Sequence, residues 1–347
     1  MIKTLSPHYK FIPWVHPFFG FTSKKYILRI YVWKGDKASQ PTEPTYSQEN
    51  INSLSRTGNT EVNISRFIND FLTANLITSS TTSINDADST VWVGSNVVYY
   101  DDIGPYLPVL DTQDIALKGY GYGMEGVNPV TPTNNYLATT SEQKVSRNSV
   151  YLFSFLASET VDTVIKLNDL TLTKTATTDS TSLVQTCYVK VSEFTTDFIE
   201  IYKDNVLINT LLLTDELRYT PIDVVFLNKE GQLQTITLFK EKLTSLKTDS
   251  ETYESSNGQP STGVHQFKSY NVNGRESFSI ESGFVLEDNN EIFTQLLLNT
   301  RVWQIKDNIY TPLNIETSDI EFQSRQKDRL LNYKIDFKYS FNKINNI

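Results

Sequence analysis

A mainly β fold, organised as two or three antiparallel sandwich-like domains with two short helices, is what this sequence predicts. Three observations carry that expectation. The chain holds 19 Phe and 19 Tyr beside many Val, Ile and Leu, the bulky groups that half-buried strands use. Charged residues reach only 20% while Ser, Thr and Asn abound, so neutral hydroxyls and amides must cover much of the surface, and those residues are mediocre helix formers. From about residue 148 onward, short alternating segments recur between Asn, Asp, Ser and Thr turns. At 347 residues the chain exceeds what one core ordinarily serves, which favours several domains.

Residues 1–24 place Pro7, Pro13 and Pro17 among Trp14, Phe18, Phe19 and Phe21. Proline at that density excludes a regular helix or an interior strand, so the segment reads as an extended arm. Its aromatics either pack on the first domain or dock on a neighbouring subunit. "KYILRIYVWKGD" alternates, with Ile27, Arg29, Tyr31 and Trp33 on one face and Leu28, Ile30 and Val32 on the other, and reads as a strand closed by a turn. "NISRFINDFL" spaces Ile64, Phe67, Ile68 and Phe71 as one helical face, with Asn63 or Ser65 available as the cap. "STVWVGSNVVYYDD" reads as a strand or hairpin, followed by loops.

The segments "VYLFSFLA", "DTVIKLND", "LTLTKTA", "QTCYVKVSEF", "DFIEIYKD" and "VLINTLLLT" form the expected small sandwich, with a hairpin turning at Asp204 and Asn205. "IDVVFLNKEGQLQTITLF" reads as a second hairpin turning through Asn228 to Gly231. Residues 249–264 form a polar Gly- and Pro-bearing loop for which disorder is the expectation. "DNNEIFTQLLLNT" is the second helix, with Asp288 and Glu291 spaced as a capping box. "RVWQIKDNIYTPLNI" and "LLNYKIDFKYSF" close the chain as strands. The resulting division is an arm at 1–24, β domains at 25–147 and 148–220, and a C-terminal β domain at 221–347.

A net charge of −9 disfavours a nonspecific grip on nucleic acid or anionic lipid. No apolar run reaches spanning length, so membrane insertion is not expected. The one cysteine, Cys187, shares a strand face with Val189 and Val191 and reads as a core residue. His8, His16 and His265 sit in the arm and the polar loop, away from any readable nucleophile. Asp86 and Asp88 resemble half a calcium loop but lack its glycine and distal glutamate.

Gly121, Gly123 and Gly126 in "KGYGYGMEGVNP" match the dinucleotide fingerprint, yet Pro129 and Pro132 follow where a phosphate-binding helix should begin. Without that helix there is no dipole to hold a pyrophosphate, and no cofactor, metal or catalytic residue is assigned. The loop instead presents Tyr120 and Tyr122 on a glycine-permissive backbone, for packing or for subunit contact. Paired carboxylates for glycan cleavage carry no sequence spacing and stay open, as does sugar stacking on exposed rings.

Three C-terminal stretches, "RYTPIDVVFLNKEGQLQTITLFK", "YNVNGRESFSIESGFVLEDNNEIFTQLLLNTRVWQI" and "YTPLNIETSDIEFQSRQKDRLLNYKIDFKYSFNKINNI", resemble virion structural proteins of tailed phages and prophages infecting Bacteroidetes-type bacteria. "KYILRIYVWKGD" and "TEVNISRFINDFL" are similar to that family's opening domain, while residues 78–147 lie outside the likeness. The resemblance implies a non-enzymatic part of the tail, tail tip or baseplate, made in the bacterial cytoplasm and resident in the virion. Its implied partners are copies of itself, in a ring, and other tail proteins, with binding to a host-surface glycan or receptor as the alternative. Trp14, Phe18, Phe19, Tyr120 and Tyr122 are the candidate interface residues.

Overall fold

In a computed structural model the described residues are 2–4, 9–13, 24–51, 59–73, 75–87, 90–100, 102–110, 113–122, 124, 133–139, 142–255, 265–320 and 330–344. The chain is mainly β, with antiparallel sheets and short helices.

The N-terminal sheet runs, edge to edge, Ile2–Thr4, Asp114–Leu117, Val91–Tyr100, Lys25–Trp33 and Tyr46–Ile51, with Val109–Leu110 also paired to Val91–Tyr100. The alternation of Lys25–Trp33 holds. Tyr26, Leu28, Ile30 and Val32 face a core closed by Ile64, Ile68 and Leu72 of the short helical segment. Tyr31 and Trp33 point the other way into a second core with Trp92, Leu156 and Val184. The first helix comprises Ser65–Ile68 and a tighter turn Asn69–Phe71, and Asn63 Oδ1 accepts hydrogen bonds from both N and Oγ of Ser65.

The arm is not wholly extended away from this unit. Ile2–Thr4 adds in parallel to Asp114–Leu117, and Tyr9–Pro13 pairs antiparallel with Asn59–Asn63. Both strands are peripheral, as Pro13 at the end of the second one demands of it. Trp14, Phe18 and Phe19 lie outside the described residues.

The middle unit packs two sheets face to face. One is ordered Gln143–Ser146, Val206–Thr214, Phe198–Lys203, Thr163–Leu167, Leu170–Lys174, and the other Val150–Leu156, Val184–Lys190, Ser83–Asp86. Phe153, Phe155, Cys187 and Val189 from the second meet Ile165, Leu167, Ile199, Ile201 and Leu211 from the first. Two strands that sequence order places before residue 148, Ser83–Asp86 and Gln143–Ser146, therefore belong to this unit by pairing. Asp204 and Asn205 turn the Phe198–Thr214 hairpin with φ of 51° and 66°, the left-handed pair that a tight hairpin needs. A one-turn helix, Ser180–Leu183, capped by Asp179 Oδ1 on the Thr181 amide, went unpredicted.

The C-terminal sheet is ordered Leu233–Leu238, Ile222–Leu227, Val302–Lys306, Ile309–Ile315, Lys334–Tyr339, Phe267–Glu281, Leu243–Glu254. Helix Asn290–Leu297 covers one face with Ile292, Phe293 and Leu296 against Phe226, Leu238, Ile280 and Phe337. The opposite face, through Val225, Leu227, Leu233 and Ile305, packs on Leu152 and Tyr188 of the middle unit. The two longer strands of that unit's second sheet, Val150–Leu156 and Val184–Lys190, are thus covered on both sides, and their burial is nearly continuous even where Ser154, Gln185 and Thr186 interrupt the apolar sequence.

The capping box expected at Asp288 and Glu291 does not form. Asp288 lies inside the tight turn Glu287–Asn289 and the cap position falls one residue later, on Asn289, which makes no side-chain cap hydrogen bond; Glu291 accepts from Tyr122 instead. The loop expected over 249–264 is corrected in part: residues up to Glu254 continue a strand, and 256–264 lie outside the described residues.

Candidate interaction surfaces

The Gly/Tyr loop leaves the strand Asp114–Leu117 and crosses to the C-terminal unit of its own chain. Lys118 Nζ donates to the Leu72 carbonyl at 3.0 Å, and the Tyr120 amide donates to the Lys229 carbonyl at 2.8 Å. Gly231, at φ +72°, closes the hairpin beneath, and a Cβ there would overlap the Lys118 carbonyl, so only glycine permits this approach. The Tyr120 and Tyr122 rings meet edge to face at 5.9 Å. Tyr122 OH donates to Glu291 Oε1 at 2.9 Å, and Lys229 Nζ sits 4.7 Å above the same ring. Gln295 completes the junction: its Nε2 donates to Glu291 Oε1 at 2.8 Å, and its Oε1 accepts from the Lys229 amide at 2.9 Å.

Burial pushes the Tyr120 hydroxyl up to about 12. Burial, and then the hydrogen bond to Glu291, push Tyr122 higher still. Both phenols stay neutral at physiological pH, which suits them to packing and hydrogen bonding rather than to acid-base chemistry. Both rings are half-buried within one protomer, and what they hold together is the N-terminal and C-terminal units. Of the fingerprint glycines, Gly121 lies in this docked loop, while Gly123 and Gly126 fall outside the described residues.

A second feature is a cleft of about 620 Å³ where the middle unit meets the C-terminal sheet, lined by Asn148, Arg218, Asp223, Glu241, Lys242 and Asp307 among others. Asp223 Oδ1 accepts from Ser149 Oγ at 2.6 Å and Thr237 Oγ1 at 2.7 Å, and Oδ2 faces the Val150 amide at 3.4 Å. Burial raises this carboxyl to about 6, with the three hydrogen bonds opposing it. Its oxygens are engaged in tying two units together. The predicted hairpin sets Thr237 across from Asp223, but nothing in the sequence points to Ser149, 74 residues away.

The third feature is the ribbon formed by Leu243–Glu254 and Phe267–Glu281. Only its base is anchored in the sheet, where Ser277–Glu281 pairs with Lys334–Tyr339. All 12 residues of Leu243–Glu254 are exposed, over a length of about 40 Å at the usual strand rise. Tyr253 and Tyr270 meet edge to face at 5.7 Å near its outer half, and Phe267 is 65% exposed. The chain's end laces the inner edge: the Lys343 amide donates to the Gly274 carbonyl at 2.7 Å, and Lys343 Nζ pairs with Glu276 at 2.6 Å. Among the described residues, Leu243–Glu254 pairs with Phe267–Glu281 alone, so its outer edge carries a row of unpaired backbone groups.

Cys187 is fully buried, and burial pushes its thiol up, as a core residue requires. Among the described residues no group of three or more His, Cys, Asp or Glu could hold a metal ion, and Asp86 instead pairs with Lys174 and Gln185. No helix among them is long and apolar enough to cross a membrane. His265 is exposed; His8 and His16 are outside the described residues. Comparisons with protein-family models, with curated proteins and with solved structures find no match to this chain.

Proposed function

We propose that this chain is a non-enzymatic structural component of a bacteriophage tail, acting by joining copies of itself and neighbouring tail proteins. The observation that carries the reading is the ribbon: a two-stranded β element with 12 exposed residues on one strand, projecting from a stack of sheets. An isolated two-stranded hairpin is at best marginally stable in water, so a projecting one gains order from what it docks against. The likeness of the C-terminal third to tail proteins supplies the setting. Imaging of purified particles tests it: density for this chain in repeated copies within the tail is the expected result, and particles that lack it overturn the proposal.

A second reading, recognition of the host surface, draws on the exposed rings Tyr253, Phe267 and Tyr270 at the ribbon's outer half, which could stack on sugars. Deleting residues 249–270 separates the two. Loss of particle assembly supports scaffolding, and intact particles that no longer adsorb support recognition.

A further inference from the structure

Deepening the self-association just proposed, and resting on it, we infer that the outer edge of Leu243–Glu254 seats the same strand of a second copy of this chain, antiparallel, about a two-fold axis at Thr248. The edge has the backbone for it: the bulge between the pairs Asp249–Asn273 and Glu251–Tyr270 places its extra residue in Phe267–Glu281, so the alternation of Leu243–Glu254 itself runs uninterrupted past Thr248. In an antiparallel strand, amides and carbonyls point alternately inward and outward, so two outer edges bond only when residues of like parity stand opposite one another. A two-fold axis passing through a residue meets that condition, and it also keeps the two faces of the ribbon continuous across the junction.

The side chains select the register. With Thr248 opposite its own copy, Lys247 stands opposite Asp249 and Asp249 opposite Lys247, two ion pairs on one face. Leu243, 58% exposed, falls opposite Tyr253, 48% exposed, and that pairing also occurs twice. Thr244 falls opposite Thr252. The nearest alternatives that keep the faces matched are slips by two residues. Centring on Lys247 sets that lysine against itself, and centring on Asp249 sets that aspartate against itself. The charges that would deter promiscuous pairing of an open edge are therefore arranged to admit this one. A partner of unrelated sequence has no reason to match this self-complementary order, which commits the surface to a sister chain.

The test is charge reversal on the full chain, read by sedimentation and light scattering across a concentration series. Lys247→Asp and Asp249→Lys each place like charges opposite one another twice, and each is expected to weaken self-association by about tenfold or more. The double variant K247D/D249K restores opposite charges and is expected to regain the wild-type affinity. Unchanged thermal unfolding of each variant shows that the fold itself is intact. Self-association that survives both single reversals overturns the Leu243–Glu254 assignment while leaving the tail reading standing. A wild-type chain that stays monomeric at every concentration, and is absent from particles, overturns both.

Discussion

The Gly/Tyr loop and the ribbon invert what their compositions suggest. Residues 118–122 carry two aromatic rings on a glycine-rich backbone, yet both rings are half-buried against Lys229, Glu291 and each other inside one protomer. The ribbon strand Leu243–Glu254 is mostly Ser, Thr and charged residues, yet it projects with its outer edge unpaired among the described residues. Aromatic content measures how much area a segment can bury, and says nothing of where the partner is. The capacity to bind another chain is better read from backbone groups left without partners, which polar sequence conceals.

The largest effect expected from this contrast lies at Gly231. Gly231→Ala adds a Cβ against the Lys118 carbonyl at a left-handed position, so it should cost about 3 kcal/mol or more, measurable by denaturant unfolding. Only a loop that is docked internally would make that substitution severe; a small loss of stability would mean that the loop is free to leave.

Asp223 gives an effect of comparable size with a defined pH signature. Its folded-state value of about 6 lies above the ordinary 3.8. The protonated form is thus favoured by folding. Its contribution, up to about 3 kcal/mol, is fully present below pH of about 4 and is lost as pH rises through about 6. Asp223→Asn removes this titration, so the fall in stability of the wild type between those pH values should flatten in the variant. Urea unfolding across the pH range checks it, and an unchanged slope would assign the titration to another group.

Tyr122→Phe keeps the ring beneath Lys229 and removes the hydroxyl that donates to Glu291, which retains Gln295. The expected loss is about 1 kcal/mol in thermal or denaturant unfolding. Smallest of all are ribbon substitutions such as Lys247→Asp, whose effect on the stability of the isolated chain should stay within about 0.5 kcal/mol because every residue of that strand is exposed. A large loss there would mean that the ribbon packs against its own protomer.

Much of the architecture was legible in short-range chemistry. Asp204 and Asn205, and Asn228 through Gly231, announced their hairpins because left-handed turns restrict residue choice. The apolar face of Asn290–Leu297 announced its helix through Ile292, Phe293 and Leu296. What escaped was long-range. Nothing in "SIND" indicates that it pairs with Val184–Lys190 about a hundred residues later, because pairing partners leave no local trace. The capping box at Asp288 and Glu291 had the right spacing, but a tight turn over Glu287–Asn289 moves the cap to Asn289, and Glu291 is left to accept from Tyr122 of a distant loop. The ribbon escaped for a different reason. With both faces in water it has no apolar alternation, and so it lacked the signature by which strands are found. At the candidate interface, Tyr120 and Tyr122 were visible as rings to be buried, while the surface that buries them was not.

The sheet whose two longer strands are covered on both sides bears on how the molecule can be dissected. A fragment begun at residue 148 would leave behind Ser83–Asp86 and Gln143–Ser146, stripping an outermost strand from each half of the middle sandwich. Cys187 and its neighbours would then meet solvent, and such a fragment should be recovered as insoluble material. A soluble truncation must instead retain the chain from before residue 83, so the middle of this protein can be excised only together with much of what precedes it.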